Sequence, residues 1–258
     1  MVVIPEVVAP LPVDNPYKRH LPAGSAFGWL GAGWRDLMVD PGFGLLRGVI
    51  VFVLSVAIVV GLVVFEWDYL LLPTFAGFLI FGPAMAIGLY DKSRAIERGD
   101  PSVRFAGLEG KTGIQIMFIG AMLCGLVLLW VRSAILIYAL FFGMRPFPGS
   151  AEILPMLFTT PTGWAMLVVG TLVGALFAAF SFAISAFSIP MLLDRKVDAL
   201  TAMGTSWALV WNNLRALMVW GAVVLALFLV SLATGMLGLI LVFPWLGHAT
   251  WHAYVAVR

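Results

Sequence analysis

Residues 44–65 read GLLRGVIVFVLSVAIVVGLVVF, with one charge, Arg47, near the start and no proline. At 1.5 Å per residue this stretch makes about 33 Å of helix, enough to cross a bilayer core of about 30 Å. The rest of the chain is of the same kind. Of 258 residues 62% are hydrophobic and only 11% charged, with a mean hydropathy of +1.05. A soluble chain is about half apolar and about a quarter charged, so 15 Lys+Arg and 13 Asp+Glu cannot clothe a surface in water. The sequence is that of an integral membrane protein.

Working outward from this first span, Glu66-Trp67-Asp68 forms a short turn. Further apolar stretches follow at about 69–90 (with Pro73 and Pro83), from Thr112 to at least Trp130, at 163–190, at 214–232, and at 236–253 with Pro244 inside. The expected fold class is therefore all-α: a polytopic bundle of about six transmembrane helices over residues 25–258. The third span is ambiguous. Its apolar run from Gly113 to Met144 covers about 48 Å and is interrupted by Arg132. Either one helix overshoots with Arg132 snorkelling, or Ile135 to Met144 lies in the interface. Residues 1–24, with Pro5, Pro10, Pro12, Pro16 and Pro22, read as a poorly ordered cytoplasmic tail, with a short docking segment as the alternative. Val2 to Ala9 contains Pro5 and Glu6 and no preceding basic residues, so it does not read as a signal peptide.

Charge sets the expected orientation. Lys18, Arg19, Arg35, Arg47, Lys92, Arg94, Arg98, Arg104, Lys111, Arg195, Lys196, Arg215 and Arg258 fall on one side, leaving Arg132 and Arg145 at or near the other. The positive-inside rule then places both termini in the cytoplasm of a bacterial inner membrane. No basic patch interleaved with aromatics points to nucleic acid. The single Cys124 supports neither a disulfide framework nor a thiolate cluster.

Shifting the chain by 173 residues aligns Phe27, Leu30, Gly31, Trp34, Leu37 and Met38 with Leu200, Met203, Gly204, Trp207, Val210 and Trp211. This spacing traces one face of a helix. It predicts two amphipathic helices in the cytoplasmic interface and a weak parallel repeat, each copy preceding an outward-running span. Trp34, Trp207 and Trp211 would sit at headgroup level. Arg35 and Asp36 in one copy, and Asp198, Thr201 and Ser206 in the other, would face water. Asp40-Pro41-Gly42 and Asn212-Asn213 end the two helices.

Chemistry is sparse. All carboxylates lie outside the apolar cores, which argues against an ion-coupled carrier. His248 and His252, four apart, share a helix face and are the only metal-ligand candidates; the plainer reading places them in an aromatic belt with Trp245, Trp251 and Tyr254. Gly170, Gly174 and Ala178 read as a helix-packing stripe continued by Ser181, Ser185 and Ser188; Gly77, Gly82 and Gly88 read the same way. Asp91, Arg94, Glu97 and Arg98 are spaced for ion pairs along a solvated helix end. No phosphate loop, nucleophile elbow or zinc-protease helix is present. No catalytic or cofactor-binding residue is assigned, and the reading leans away from an enzyme.

Four strings together resemble a bacterial family of integral membrane proteins with a domain of unknown function: Gly33-Trp34-Arg35-Asp36-Leu37 with Asp40-Pro41; Pro73-x-x-Ala76-Gly77-Phe78 with Gly82-Pro83; Gly88-Leu89-Tyr90 leading to Glu97-Arg98-Gly99; and Pro244-x-x-Gly247-His248-Ala249-Thr250-Trp251-His252-Ala253-Tyr254. The resemblance covers roughly residues 25–258. Members of that family are sometimes labelled cytochrome c oxidase subunit I. Such a subunit needs six histidines and about twelve spans, whereas this chain has three histidines; at most the label implies association with a respiratory complex. The stretch Pro190-Met-Leu-Leu-Asp194 with Ala199, Ala202, Ser206 and Asn213 also looks like membrane domains that accompany glycerophosphodiester phosphodiesterases, as architecture only. The functional expectation is a non-enzymatic accessory or assembly-type protein of the inner membrane, with a small-solute carrier or channel as the alternative. Its partners would be the lipid bilayer and subunits of a larger membrane complex.

Overall fold

The computed structural model describes residues 15–100, 110–143 and 147–258. Among them the elements are helical: α1 (Ser25–Val39), α2 (Pro41–Val64), a 3-10 turn (Asp68–Leu70), α3 (Leu71–Met85), α4 (Ile87–Glu97), α5 (Gly110–Phe142), α6 (Ser150–Thr159), α7 (Pro161–Ser185), α8 (Ser188–Asp194), α9 (Ala199–Asn212), α10 (Leu214–Ala233) and α11 (Leu239–Val257). Five stretches are long and apolar enough to cross a membrane: Pro41–Val64, Asp68–Glu97, Thr112–Phe142, Pro161–Asp194 and Leu214–Ala233. The protein is an all-helical polytopic membrane protein.

The sixth expected crossing is α11, which falls short of the other five in hydropathy. Its surroundings explain why. Eleven of its 19 residues are buried, whereas only 17–28% of the most apolar stretch of each of the five is buried. A helix enclosed by protein can carry His248, Thr250 and His252, because its neighbours rather than lipid meet those groups. α11 packs against α1, α2, α4, α8 and α10.

The ambiguous third span is one unbroken helix of 33 residues, so Ile135 to Phe142 continues α5 and only Met144 lies outside the described residues. The proposed tail, 1–24, is described from Asn15 onward. There the Asn15 amide donates to Asn212 Oδ1 at 2.7 Å, and Arg19 donates from its backbone to Asn213 Oδ1 and from Nε to the Val257 carbonyl. These bonds place Asn15–Arg19 beside the C-terminal helix, at what we call the basic end. At the opposite end aromatic rings meet in pairs, Phe65 with Trp67, Tyr69 with Phe147, and Phe158 with Trp164.

The repeat is visible in helix boundaries and in packing. Moved by 173 residues, α1 falls on 198–212 and α2 begins at Leu214, matching α9 and α10. The five buried residues of α1, Ala26, Trp29, Gly33, Asp36 and Leu37, fall on buried Ala199, Ala202, Ser206, Leu209 and Val210. Phe27, Trp34 and Met38, and their counterparts Leu200, Trp207 and Trp211, are all exposed. This corrects the expected amphipathic arrangement. Asp36 and Ser206 point into the protein, and the Trp-bearing faces point out.

Position 33/206 is the point of closest approach in both copies. Gly33 lies against the backbone of Ala249 in α11, where a Cβ has no room. Ser206 enters the break between α7 and α8: Phe187 N–H donates to Ser206 Oγ at 3.2 Å, and Ser206 Oγ donates to the Ala183 carbonyl at 2.7 Å. The hydroxyl thus stands between a donor and an acceptor that would pair directly in a continuous helix. Pro190 adds to the break, since its ring has no N–H and crowds the carbonyl four residues earlier.

Gly48 of α2 meets the Ile240 carbonyl of α11, whereas Gly28 of α1 faces open space. Gly48→Ala should therefore lower the melting temperature in detergent, at a cost of about 1–3 kcal/mol for overpacking. Gly28→Ala should leave it unchanged or slightly raised. Equal melting temperatures for the two variants would contradict this packing of α2 on α11.

Candidate functional site

The polar residues that the apolar sequence does carry are concentrated at the basic end, where α1, α4, α8 and α11 converge. α4 continues the line of α3 past the bend at Ala86, and seven of its 11 residues are buried, among them Asp91, Lys92 and Ser93. α1 brings Asp36 to the same place, because positions 26, 29, 33, 36 and 37 share the face that packs on α11. α11 contributes His248 and His252, one turn apart.

These side chains form one hydrogen-bonded chain. Ser93 Oγ donates to Asp36 Oδ2 at 2.6 Å and lies 2.7 Å from His248 Nδ1. His252 Nε2 lies 2.8 Å from the same Asp36 oxygen. A hydroxyl has one proton, and here it goes to the carboxylate. His248 must then donate from Nδ1 to Ser93, and His252 must donate from Nε2 to Asp36. The order is His248 to Ser93 to Asp36 from one side, and His252 to Asp36 from the other. Beside it, buried Lys92 pairs with Asp40 Oδ2 at 2.7 Å and stands 5.3 Å over the Phe43 ring, which also receives Arg47.

Ser, His and Asp here do not form a nucleophilic triad. In that arrangement the carboxylate orients the histidine and the serine oxygen is open to substrate. In this protein the carboxylate holds the serine itself, and Ser93 is 1% exposed. The chain joins three helices and offers no reacting oxygen.

A second set of pairs closes the lower face. Asp194 of α8 receives Tyr254 Oη at 3.0 Å and Arg258 at 3.3 Å, and lies 3.5 Å from Arg98. Glu97 receives Arg258 at 2.5 Å and Trp251 Nε1 at 3.0 Å. Arg94 pairs with Asp91 and donates to the Leu193 carbonyl. Burial pulls the Arg258 guanidinium's pKa down, but Glu97 and Asp194 more than offset this and hold it above its ordinary value. The solvated helix end expected from Asp91, Arg94, Glu97 and Arg98 is thus an interhelical junction: Arg98 is exposed, but Asp91 is buried.

The other sequence-derived residues fall as follows. His248 and His252 meet through Ser93 and Asp36, each donating toward that pair. Among the described residues no group of three His, Cys, Asp or Glu side chains is arranged to hold a metal ion. Gly174 faces the Trp130 ring, with a Cβ position 3.0 Å from it, while Gly170 has nothing within 4 Å; Ala178 is half-buried. Trp130 in turn donates to the Pro73 carbonyl of α3, so Gly174 makes room for the ring that joins α5 to α3. Ser181, Ser185 and Ser188 are fully buried. Ser185 bonds the Ser181 carbonyl, and Ser181 Oγ has no partner among the described residues. Trp34 packs edge-on against Trp245, and Trp207 stacks on Trp211.

Residues missed by pattern were Asp36, Lys92 and Ser93. The signal for Asp36 was available in its register with Ala26, Trp29 and Gly33. Lys92 and Ser93 had none, because their partners lie on α1 and α11.

Residues 71–194 match the family described as predicted integral membrane protein (DUF2189). The match takes in α3 to α8, and with them Asp91, Lys92, Ser93, Arg94, Glu97, Arg98 and Asp194. It includes the Pro73 and Gly88 strings on which the resemblance was read; Asp36, His248 and His252 lie outside it. No curated protein and no solved structure matches the chain.

Two outcomes follow. Ser93→Ala should cost about 1–3 kcal/mol, the penalty for leaving buried groups without a partner, and Asp36→Ala about 3 kcal/mol or more. In a double-mutant cycle the two should fall well short of additive, as read by melting in detergent; additive losses would contradict a shared chain. At the start of α9, the Thr201 hydroxyl and backbone N–H hold Asp198 below the ordinary carboxylate range. A depressed carboxyl contributes its stabilisation above its unfolded pKa and loses it as pH falls through the folded value. Hydrogen-exchange protection at Thr201 should drop over that acidic range, and Asp198→Asn should flatten the dependence.

Proposed function

We propose that this integral membrane protein is a non-enzymatic accessory or assembly-type component of the bacterial inner membrane, with both termini cytoplasmic. The observation that carries the reading is the spending of its buried polar groups on one another. Asp36, Ser93, His248 and His252 are tied together across three helices, and Asp194 and Glu97 are tied to Arg258. Such groups in a working carrier or enzyme must be able to exchange partners with substrate or ion.

A stiff polar junction beneath a lipid-facing bundle suits a protein that works by occupying a place in a larger assembly. The oxidase label carried by members of the resembling family makes a respiratory complex the first assembly to test. The carrier or channel reading draws on Ser181, Ser185 and Ser188. Their burial favours packing instead.

The test is purification of the tagged protein in mild detergent, with mass spectrometry of what accompanies it. Stoichiometric membrane-complex subunits are the expected result. A protein that purifies alone, and conducts solutes in proteoliposomes until Ser185 is replaced by Phe, would replace this reading with the carrier.

A further inference from the structure

We propose that the basic end carries two seats for anionic phospholipid headgroups, one at Trp34, Arg35 and Met38 and the other at Trp211, Arg215 and Met218. The argument begins with where the charges go. Asp40, Asp91 and Asp194 pair with Lys92, Arg94 and Arg258, and Asp36 is turned inward to Ser93. The exposed acids at this end are engaged as well: Glu97 binds Arg258 and Trp251, Asp198 holds Thr201, and Asp100 has an interaction of its own.

The cations left over face outward. Lys18, Arg35, Arg195, Lys196 and Arg215 are exposed, and among the described residues none of them makes an ion pair with Asp or Glu. Among the described residues the acids at this end are thus engaged internally, while these five cations stand on the surface without an acidic partner.

Two of these cations stand among exposed apolar side chains. Arg35 is on α1 beside Trp34 (38% exposed) and Met38 (48%); Arg215, in the first turn of α10, comes four residues after Trp211 (67%) at the end of α9 and precedes Met218 (65%). An arginine so placed lays its stem along acyl chains and raises its guanidinium to the headgroup layer. There its planar fork can take two phosphate oxygens, while the indole sits in the interface. Arg35 lies near the end of α1 and Arg215 in the first turn of α10, so each cation stands near the joint between a Trp-bearing helix and the span that follows. A zwitterionic headgroup brings its own cation to the seat, so an anionic lipid is the better complement.

The experiment uses the full chain, delipidated in neutral detergent and offered equal amounts of phosphatidylglycerol and phosphatidylcholine, with bound lipid counted by native mass spectrometry. Phosphatidylglycerol should be retained in preference. Arg35→Gln and Arg215→Gln should each lower that retention about fivefold, and the double variant should bring it near the phosphatidylcholine level. Arg35→Lys should keep most of it, and Arg132→Gln at the opposite end all of it. Both arginines are exposed, so melting temperatures should not move. Equal retention of the two lipids, or a double variant that retains as the parent does, would overturn the proposal. So would displacement of the lipid by excess inorganic phosphate, which would mark a site for the free anion.

Discussion

Asp36 is a carboxylate buried where α1, α4 and α11 meet, and the arrangement of the basic end follows from what that burial demands. A charge taken out of water costs several kcal/mol unless hydrogen bonds replace its hydration. Here the replacements come from different helices, Ser93 from α4 and His252 from α11. They reach the carboxylate only if the three backbones approach closely, which Gly33 against Ala249 and Gly247 against Leu89 allow. The polar chain and the glycine contacts therefore require each other. This also explains why α11 is long enough to cross a membrane but lacks the apolar stretch of the other five: its neighbours supply the partners that lipid could not.

The two repeat copies show how a membrane setting changes the meaning of amphipathicity. In water the larger apolar side chains of a surface helix turn inward. In α1 and α9 many turn outward, and the inner face is chosen by size and hydrogen bonding. Gly33 and Ser206 occupy the same inner position, and both serve close approach. One does so by having no side chain. The other places a hydroxyl into the break between α7 and α8. α1 packs on α11 as α9 packs on α7 and α8.

Much of the candidate site was present in the sequence without being readable there. His248 and His252 stood out by spacing, but their partners did not, since Asp36 precedes them by more than 200 positions. Asp91, Arg94, Glu97 and Arg98 fit a solvated helix end as well as they fit a junction, because i to i+4 spacing describes pairing within one helix only. The carboxylates that set the lower face, Asp194 and Glu97, share Arg258, which is 64 and 161 positions away. Gly170 and Gly174 were equivalent as a motif; packing separated them, because Trp130 faces only one.

Composition and periodicity alone determined that this is an all-helical membrane protein. They placed the starts of five long apolar helices to within a few residues and located the second copy of the helix that precedes α2. These are properties of single segments, fixed by hydrophobic length and by the 3.6-residue turn. Tertiary structure decided which face of α1 and α9 is buried, that α11 is enclosed, and that the scattered acids, bases and histidines form one connected layer. Those outcomes depend on distances between residues far apart in sequence. In a protein whose lipid-facing and core-facing residues are both apolar, hydropathy carries no signal that could separate them.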